Sequence, residues 1–300
     1  MRNREPVLQE GPDTAPVDDP QPVVPEALES GPPSSDPAET YSFNGFQIPV
    51  HLMLLTGGGP DTFEVISDVH MRNLDREHPI RPGLRVLELG CGIGRDAIPL
   101  AERIGPGGTY LGIDIIRDSV EWCTRNVTAK YPNARFHYDD VKDSLHNPGG
   151  TAHFESVCHP TSDASIDLIV AQSVFSHMLR PELTHYLREF ARVLVPGGTV
   201  YATFFRVTPE ILESARQTNL TPWDLRFEHD LGGGCYVNEL EHLTGAVAYT
   251  EPTIRAMVSE ARLQLRGDIR PGGWSGHFSE ATDGQDALVL EHPARPGGLG

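Results

Sequence analysis

The feature that constrains this chain most is a glycine-rich turn between a predicted strand and a predicted helix. The apolar run 84–89 is typical of a strand, and Gly90-Cys91-Gly92-Ile93-Gly94 follows it directly. Glycines adopt positive φ and let a ligand approach the backbone closely. We predict a helix over 94–104, whose free N-terminal N–H groups and dipole favour a negatively charged group. The arrangement predicts an α/β fold that binds a nucleotide-like ligand at the turn.

An acidic residue lies at the end of the next predicted strand, where it could contact a ligand at the turn. Asp114 ends the next predicted strand, 109–114, and lies 20 positions after Gly94. A carboxylate at this place can accept hydrogen bonds from both ribose hydroxyls of an adenosine group. The glycine turn and Asp114 together therefore predict an adenosine-containing ligand.

Strand and helix patterns alternate over the rest of the chain. Further strands are predicted at 134–138, 166–171, 199–205, 263–268 and 287–291, and helices at 118–130, 181–194 and 251–262. Alternation of this kind indicates right-handed βαβ units and a parallel sheet. Ahead of the first strand, Asp61 is a predicted helix N-cap with Glu64 three residues later.

The two ends of the chain differ from its body. Residues 1–40 hold nine prolines and nine acidic residues against two arginines, which predicts a disordered acidic tail. Residues 293–300 are predicted to form a second flexible tail. Between them we expect a folded body over 41–292.

Composition excludes several classes of protein. The chain has 24 Lys+Arg against 42 Asp+Glu, a formal net charge of −18. Binding to nucleic acid or to anionic lipid needs a basic face, so neither partner is expected. Four cysteines without a Cys-x-x-Cys pair form no disulfide framework, and no apolar run reaches the ~18 residues of a membrane span. We expect a cytoplasmic protein; its oligomeric state is not readable from the sequence.

Several motifs in order resemble those of the class I S-adenosylmethionine-dependent methyltransferases. Residues 88–94 match the first motif of that family and Gly112-Ile113-Asp114 the second. Residues 136–141, 167–178 and 192–198 are similar to the third motif, the fourth-strand block and the loop before strand five. The resemblance is specific over 84–205 and weaker over 251–292. Residues 173–178 and 147–150 resemble the subgroup that acts on sugars, glycans and natural products.

The resemblance implies a fold and a cofactor. The fold is a Rossmann-like three-layer sandwich around a seven-stranded, mostly parallel sheet in the order 3-2-1-4-5-7-6, with the last strand antiparallel. The resemblance also implies a helical lid over 41–83 and a methyltransferase domain over 84–292, with an acceptor-side insert at 206–250. The cofactor is S-adenosylmethionine. The residues implied to bind it are Glu88, Gly90, Cys91, Gly92, Gly94, Arg95, Asp114, Ile115, Asp140, Val141 and Gln172. For Glu88, anchoring the loop from within the strand is the alternative.

The implied reaction is in-line transfer of a methyl group, with a small-molecule hydroxyl as the expected acceptor. Transfer of this kind depends on positioning and on exclusion of water. His177 follows the fourth strand and is the first candidate for a general base. His70, on the predicted lid helix, is the second. For each histidine a structural role is the alternative.

No metal site is expected. His146, His153, Cys158 and His159 lie close in sequence, but their spacing fits no zinc pattern. Asp139 and Asp167 are possible Mg²⁺ ligands, although nothing in the chemistry requires the ion.

Two other functions stay open at this level. A nicotinamide-dinucleotide oxidoreductase would use the same crevice, but Arg95 stands where its motif has a small residue. A non-catalytic binding protein would share the fold, because fold alone does not imply chemistry. Intact glycines and acidic residues at 114 and 140 favour the methyltransferase.

Overall fold

The computed structural model describes residues 38–218, 220–221 and 223–294. The predicted disordered tails lie outside these residues from 1 to 37 and from 295 to 300. The described strands are β1 (Thr40–Phe43), β2 (Phe46–Pro49), β3 (Arg85–Leu89), β4 (Thr109–Asp114), β5 (Ala134–Tyr138), β6 (Ile166–Ala171), β7 (Leu194–Arg206), β8 (His229–Gly232), β9 (Cys235–Val237), β10 (Val247–Tyr249), β11 (Gln264–Leu265) and β12 (Asp286–Glu291). The described helices are α1 (Val50–Met53), α2 (Phe63–Glu77), α3 (Ala97–Ile104), α4 (Arg117–Lys130), α5 (Arg180–Val193), α6 (Pro209–Thr218) and α7 (Glu251–Glu260).

The central sheet has the predicted strand order. The neighbours β5, β4, β3, β6 and β7 run parallel to one another. Strand β12 is antiparallel to β7, and β11 pairs antiparallel with β12. These seven strands reproduce the order 3-2-1-4-5-7-6 with an antiparallel last strand, so the predicted fold class is confirmed.

The strand count is larger than predicted, because the described part of the sheet holds ten strands. The edge of the long strand β7 is shared between two neighbours. Residues 199–204 of β7 pair with β12, whereas Phe205 and Arg206 pair with β10. Strands β9 and β8 extend the sheet from β10 in antiparallel pairs. The insert 206–250 therefore continues the sheet, in addition to supplying loops at its end.

Helices cover both faces of the sheet, as expected for a three-layer sandwich. One core contains side chains of α2, α3 and α4, and the other contains side chains of α5 and α7. The apolar residues of helix α5 explain its packing against the sheet. Its fully buried Leu183, Leu187 and Phe190 recur at the three- and four-residue spacing of one helix face.

The segment before β3 is only partly helical. It begins with the antiparallel hairpin β1–β2, which the sequence analysis did not predict. The predicted cap of the following helix is wrong: Thr62, not Asp61, is the N-cap residue of α2, and it makes no side-chain cap bond. Glu64 instead accepts a hydrogen bond from the Tyr41 hydroxyl at 3.3 Å.

The helix after the glycine turn begins three residues later than predicted. Gly94 has φ of +88°, outside the helical region, so the regular helix starts at Ala97. No helix in the described part of the chain combines the length and apolarity needed to cross a lipid bilayer.

Candidate active site

The glycine turn connects β3 to α3 at the carboxyl end of the sheet. Gly90, Gly92 and Gly94 all have positive φ, from +50° to +88°. A Cβ atom on Gly92 would lie 2.3 Å from Cγ2 of Thr56, and one on Gly90 would lie 2.4 Å from Cγ2 of Val174. Only glycine fits these positions. The segment before α2 therefore lies directly against the turn.

Asp114 is buried at the end of β4 and fixes the turn. Its Oδ2 accepts a hydrogen bond from the backbone N–H of Gly92 at 2.6 Å, and its Oδ1 accepts one from Ile116 at 2.8 Å. Burial raises the pKa of Asp114, while these backbone hydrogen bonds oppose the rise. The sequence analysis placed Asp114 beside the turn, and the structure brings the two together.

Glu88 points into the protein interior on β3. It is 4% exposed and accepts a short hydrogen bond from the Tyr110 hydroxyl of β4. Burial raises the pKa of Glu88 well above its usual range, and the charge of Asp96 raises it further. The contact with Tyr110 supports an anchoring role for Glu88 between two strands.

Three buried polar atoms beside the turn lack a hydrogen-bond partner. Among the described residues, no hydrogen bond reaches Oδ1 of Asp96, Oε1 of Gln172 or Nε of Arg95. The other carboxylate oxygen of Asp96 accepts a hydrogen bond from Nε2 of Gln172 at 2.8 Å. Sequence reasoning missed Asp96, although its place directly after the turn was a usable signal.

Two of the implied cofactor residues, Asp140 and Val141, lie just after β5. The half-buried Asp140 accepts hydrogen bonds from the Tyr138 hydroxyl at 2.6 Å and from Oγ1 of Thr151 at 2.5 Å. Those hydrogen bonds, with Thr151 first, lower the pKa of Asp140. Val141 is buried next to it, and Ile115 is half-buried after β4.

Asp139 lies next to the end of β4. Its backbone N–H donates to the carbonyl of Asp114 at 3.0 Å. Its Oδ1 is 3.1 Å from Nε2 of His137, and its Oδ2 is buried without a partner. Asp139 is therefore fixed beside the end of β4 by its own backbone.

His177 lies in a 3₁₀ turn just after β6, where the insert covers it. Its Nδ1–H donates to the carbonyl of Thr244 at 2.9 Å. Because that bond fixes the tautomer of the neutral ring, Nε2 carries the lone pair. Burial lowers the pKa of His177. The neutral ring is thus suited to accept a proton.

A second histidine packs on His177. The ring of His146 contacts it edge to face, with centroids 5.1 Å apart. Nδ1 of His146 lies 3.1 Å from Oδ1 of Asp143, whose other oxygen accepts a hydrogen bond from Thr244 at 2.9 Å. The sequence analysis did not place His146 or Asp143 beside His177.

His70 lies on α2 and is 6% exposed. Its Nδ1 is 2.6 Å from Oδ2 of Asp96. The two base candidates therefore occupy different surroundings, because His70 contacts the glycine turn and His177 contacts the insert.

The described residues contain no group of three or more His, Cys, Asp or Glu side chains placed to hold a metal ion. His153 and Cys158 are exposed, whereas His159 is buried and stacks on Phe190. Asp167 forms a two-point ion pair with Arg85.

The site fits the cofactor that the motifs imply. An ammonium group needs acceptors, and the unpartnered oxygens of Asp96 and Gln172 would supply them. A carboxylate group suits the Arg95 guanidinium and the N–H groups of the turn. Asp114 has further lone pairs for ribose hydroxyls.

Comparisons with known proteins agree with this geometry. A family model described as a methyltransferase domain matches residues 80–241, more than half of the chain. An arsenite methyltransferase from Aquipseudomonas alcaligenes is 30% identical over 172 residues, which cover 57% of this chain and 46% of that protein. The nocamycin O-methyltransferase from Saccharothrix syringae is 28% identical over 232 residues, covering 77% and 71%. The chain thus spans less than half the length of the first of these relatives.

A solved structure also resembles the chain. Magnesium protoporphyrin IX methyltransferase from Synechocystis PCC 6803, with bound SAH, superposes with a TM-score of 0.49 and 16% identity, covering 81% of this chain and 92% of that one. The family match confirms the predicted family and its cofactor, S-adenosylmethionine. This chain belongs to the class I S-adenosylmethionine-dependent methyltransferases.

Proposed function

We propose that this chain transfers a methyl group from S-adenosylmethionine to a hydroxyl oxygen of a small molecule. The observation that carries the proposal is the His177 ring just after β6, whose Nδ1–H donates to the carbonyl of Thr244, so that Nε2 of the neutral ring carries the lone pair. The nocamycin O-methyltransferase, similar over 77% of this chain, is named for transfer to oxygen. Small-molecule acceptors also appear in the names of the arsenite and 27-O-demethylrifamycin SV methyltransferases.

The cofactor residues are proposed as the sequence motifs imply them. Glycines 90, 92 and 94, with Cys91 and Arg95, would hold the amino-acid end, and Asp114 the ribose. Asp140 with Ile115 and Val141 would line the adenine side. When bound, the cofactor supplies an electrophilic methyl group on a sulfonium ion.

The protein's own residues would position the acceptor and accept its proton. His177 would take the hydroxyl proton at Nε2 while its Nδ1 stays bonded to Thr244. The insert and the segment before β3 would exclude water, which strengthens electrostatic interactions within the crevice. The domain boundaries, the cytoplasmic location and the absence of a nucleic-acid partner stay predictions.

Transfer of radioactive label tests the proposal. The protein is incubated with S-adenosylmethionine labelled on the methyl group and a panel of hydroxylated sugars, phenols and macrolide alcohols. Arsenite serves as a comparison acceptor. We expect label in at least one hydroxylated compound, as an alkali-stable ether. Label transferred to arsenite alone would overturn the assignment to oxygen.

A further inference from the structure

Asp143 is connected to the His177 ring by two separate routes. It lies in the connection between β5 and β6, with 14% of its side chain exposed. Its Oδ2 accepts a hydrogen bond from Oγ1 of Thr244 at 2.9 Å, and the carbonyl of Thr244 accepts one from Nδ1–H of His177 at 2.9 Å. Its Oδ1 lies 3.1 Å from Nδ1 of His146, whose ring packs against that of His177. The four residues therefore form a closed ring of contacts.

The carboxylate of Asp143 is fixed by its own turn. The backbone N–H groups of Leu145 and His146 donate to its Oδ1 at 3.0 and 2.7 Å. The backbones of Asp143 and Asn147 exchange hydrogen bonds in both directions, at 3.1 and 3.3 Å. A side chain held by its surroundings in this way can keep its partners in one geometry.

Asp143 is ionised at neutral pH. Burial alone would raise the pKa of its carboxyl, but hydrogen bonds from His146 and Thr244 hold that pKa well below its usual range. Glu182, in the first turn of α5, lies near the same carboxylate: burial, followed by the charge of Asp143, raises the pKa of Glu182 to about 7. Because Asp143 is charged, its hydrogen bonds to Thr244 and His146 are stronger than neutral ones.

His146 connects this ring of contacts to the cofactor residues. Burial raises the pKa of Asp114, and the charge of His146 is one of the effects that oppose the rise. His146 therefore lies near the carboxylate expected at the ribose and also against His177. A base at this place needs a fixed ring orientation, because its lone pair must lie within hydrogen-bond reach of the proton that it accepts.

We propose that Asp143 is a positioning residue for the transfer reaction: through Thr244 and His146 it holds the His177 ring with Nδ1 protonated and with Nε2 directed at the acceptor hydroxyl. The inference rests on the proposed function, because it takes His177 as the base. Orientation of a base by a further group is a general requirement of such sites.

Nitrogen NMR of the histidine rings tests the proposal without an acceptor. In protein carrying isotope-labelled histidine, the ring nitrogen shifts of His177 report the ratio of its Nδ1–H form to its Nε2–H form. The spectrum of His177→Ala assigns the signals. We expect the wild-type ring to be mainly in the Nδ1–H form at pH 8. Asp143→Asn keeps the shape and removes the charge, and it should lower the ratio by about fivefold or more.

Thr244→Val tests one of the two routes alone. It removes Oγ1 and keeps the backbone carbonyl that binds His177. We expect it to lower the tautomer ratio by about twofold to threefold. The double variant with Asp143→Asn should show less than the product of the two separate changes, because both remove the same hydrogen bond. If Asp143→Asn fails to fold, Thr244→Val still measures this bond.

Glu155→Gln is the matched control. Glu155 is an exposed carboxylate 3.5 Å from Nδ1 of His153, in the same connection between β5 and β6. The change should leave the tautomer ratio of His177 as it is in wild type. An unchanged ratio in both Asp143→Asn and Thr244→Val, or a wild-type ring mainly in the Nε2–H form, would overturn the positioning role.

Turnover supplies the functional readout. With an acceptor found by the label-transfer screen, Asp143→Asn should lower kcat by about tenfold or more. The KM for that acceptor and the calorimetric affinity for S-adenosylhomocysteine should change by less than about twofold. Wild-type kcat in Asp143→Asn would overturn the role of Asp143. If no hydroxylated compound is labelled, the proposed function fails, and the tautomer ratios decide the positioning of His177 by themselves.

Discussion

The backbone N–H of Gly92 donates a hydrogen bond to Oδ2 of Asp114 at 2.6 Å, across 22 positions of the sequence. This bond ties the turn after β3 to the end of the neighbouring strand β4. The carboxylate expected to bind ribose is therefore also part of what holds the glycine turn in shape.

Asp114→Ala should lower both stability and cofactor affinity. The change removes the acceptor of two buried backbone N–H groups, those of Gly92 and Ile116. We expect a loss of about 2 kcal/mol or more in the free energy of unfolding, measured by urea denaturation. Asp118→Asn, on the exposed start of α4, is the control and should change stability by less than about 0.5 kcal/mol. Equal stability of the two variants would contradict the described role of Asp114.

Gly92→Ala should destabilise the protein through a specific contact with Thr56. The new Cβ would meet Cγ2 of Thr56 at 2.3 Å, in a backbone conformation that disfavours side chains. We expect Thr56→Ala to recover about 1 kcal/mol or more of that loss in a double-mutant cycle, measured by denaturation. Gly90→Ala, which meets Val174 instead, should show no such coupling with Thr56. Additive effects of Gly92→Ala and Thr56→Ala would show that the segment before α2 does not lie on the turn.

Activity should fall on acidification with the titration of His177. Burial lowers the pKa of His177, and the ring must be neutral to accept a proton. The groups that face it are His146 and Asp143, together with the backbone of Thr244 and Gly245. We therefore expect kcat/KM to hold down to a pH below 6.5, the usual value for histidine, and to decrease below that.

The same assignment predicts the effect of removing the ring. His177→Ala should lower kcat by about 100-fold or more while the affinity for S-adenosylhomocysteine changes little. His242→Ala, at an exposed histidine of the same insert, is the control. Wild-type turnover in His177→Ala would assign His177 a structural role.

Glu88→Gln should remove a pH dependence of stability. Because burial raises the pKa of Glu88, the folded protein keeps a proton that the unfolded chain has released. The free energy of unfolding therefore decreases as pH rises above the usual carboxyl range, about 4.3. Glutamine can still accept the hydrogen bond of Tyr110 and carries no charge. We expect Glu88→Gln to have a higher Tm than wild type at pH 8, with a difference that decreases toward zero as the pH falls below about 4. A lower Tm at pH 8 would contradict the account.

Local patterns were enough to predict the parallel sheet and the proximity of Asp114 to the glycine turn. Positive φ at Gly90 and Gly92 follows from their place between a buried strand and a helix. The position of Asp114 beside the turn follows from its place at the end of the next strand. These features depend on residues close in sequence, or on a topology that βαβ units impose.

The residues that were missed depend on distant packing. The bond between Asp143 and Thr244 joins positions 101 apart, and that between His70 and Asp96 joins positions 26 apart. No local periodicity reports such contacts. Strands β8 to β10 were missed because each has only three or four residues, too few to show alternation.

The central claim is that the glycine turn and Asp114 form a binding site for S-adenosylmethionine. Calorimetric titration of the wild-type protein and of Asp114→Ala with S-adenosylhomocysteine, and with NADH as the competing dinucleotide, tests it most directly. The account predicts that the wild-type protein binds S-adenosylhomocysteine but not NADH, and that Asp114→Ala binds neither. Binding of NADH in place of S-adenosylhomocysteine, or unchanged S-adenosylhomocysteine affinity in a folded Asp114→Ala variant, would contradict it.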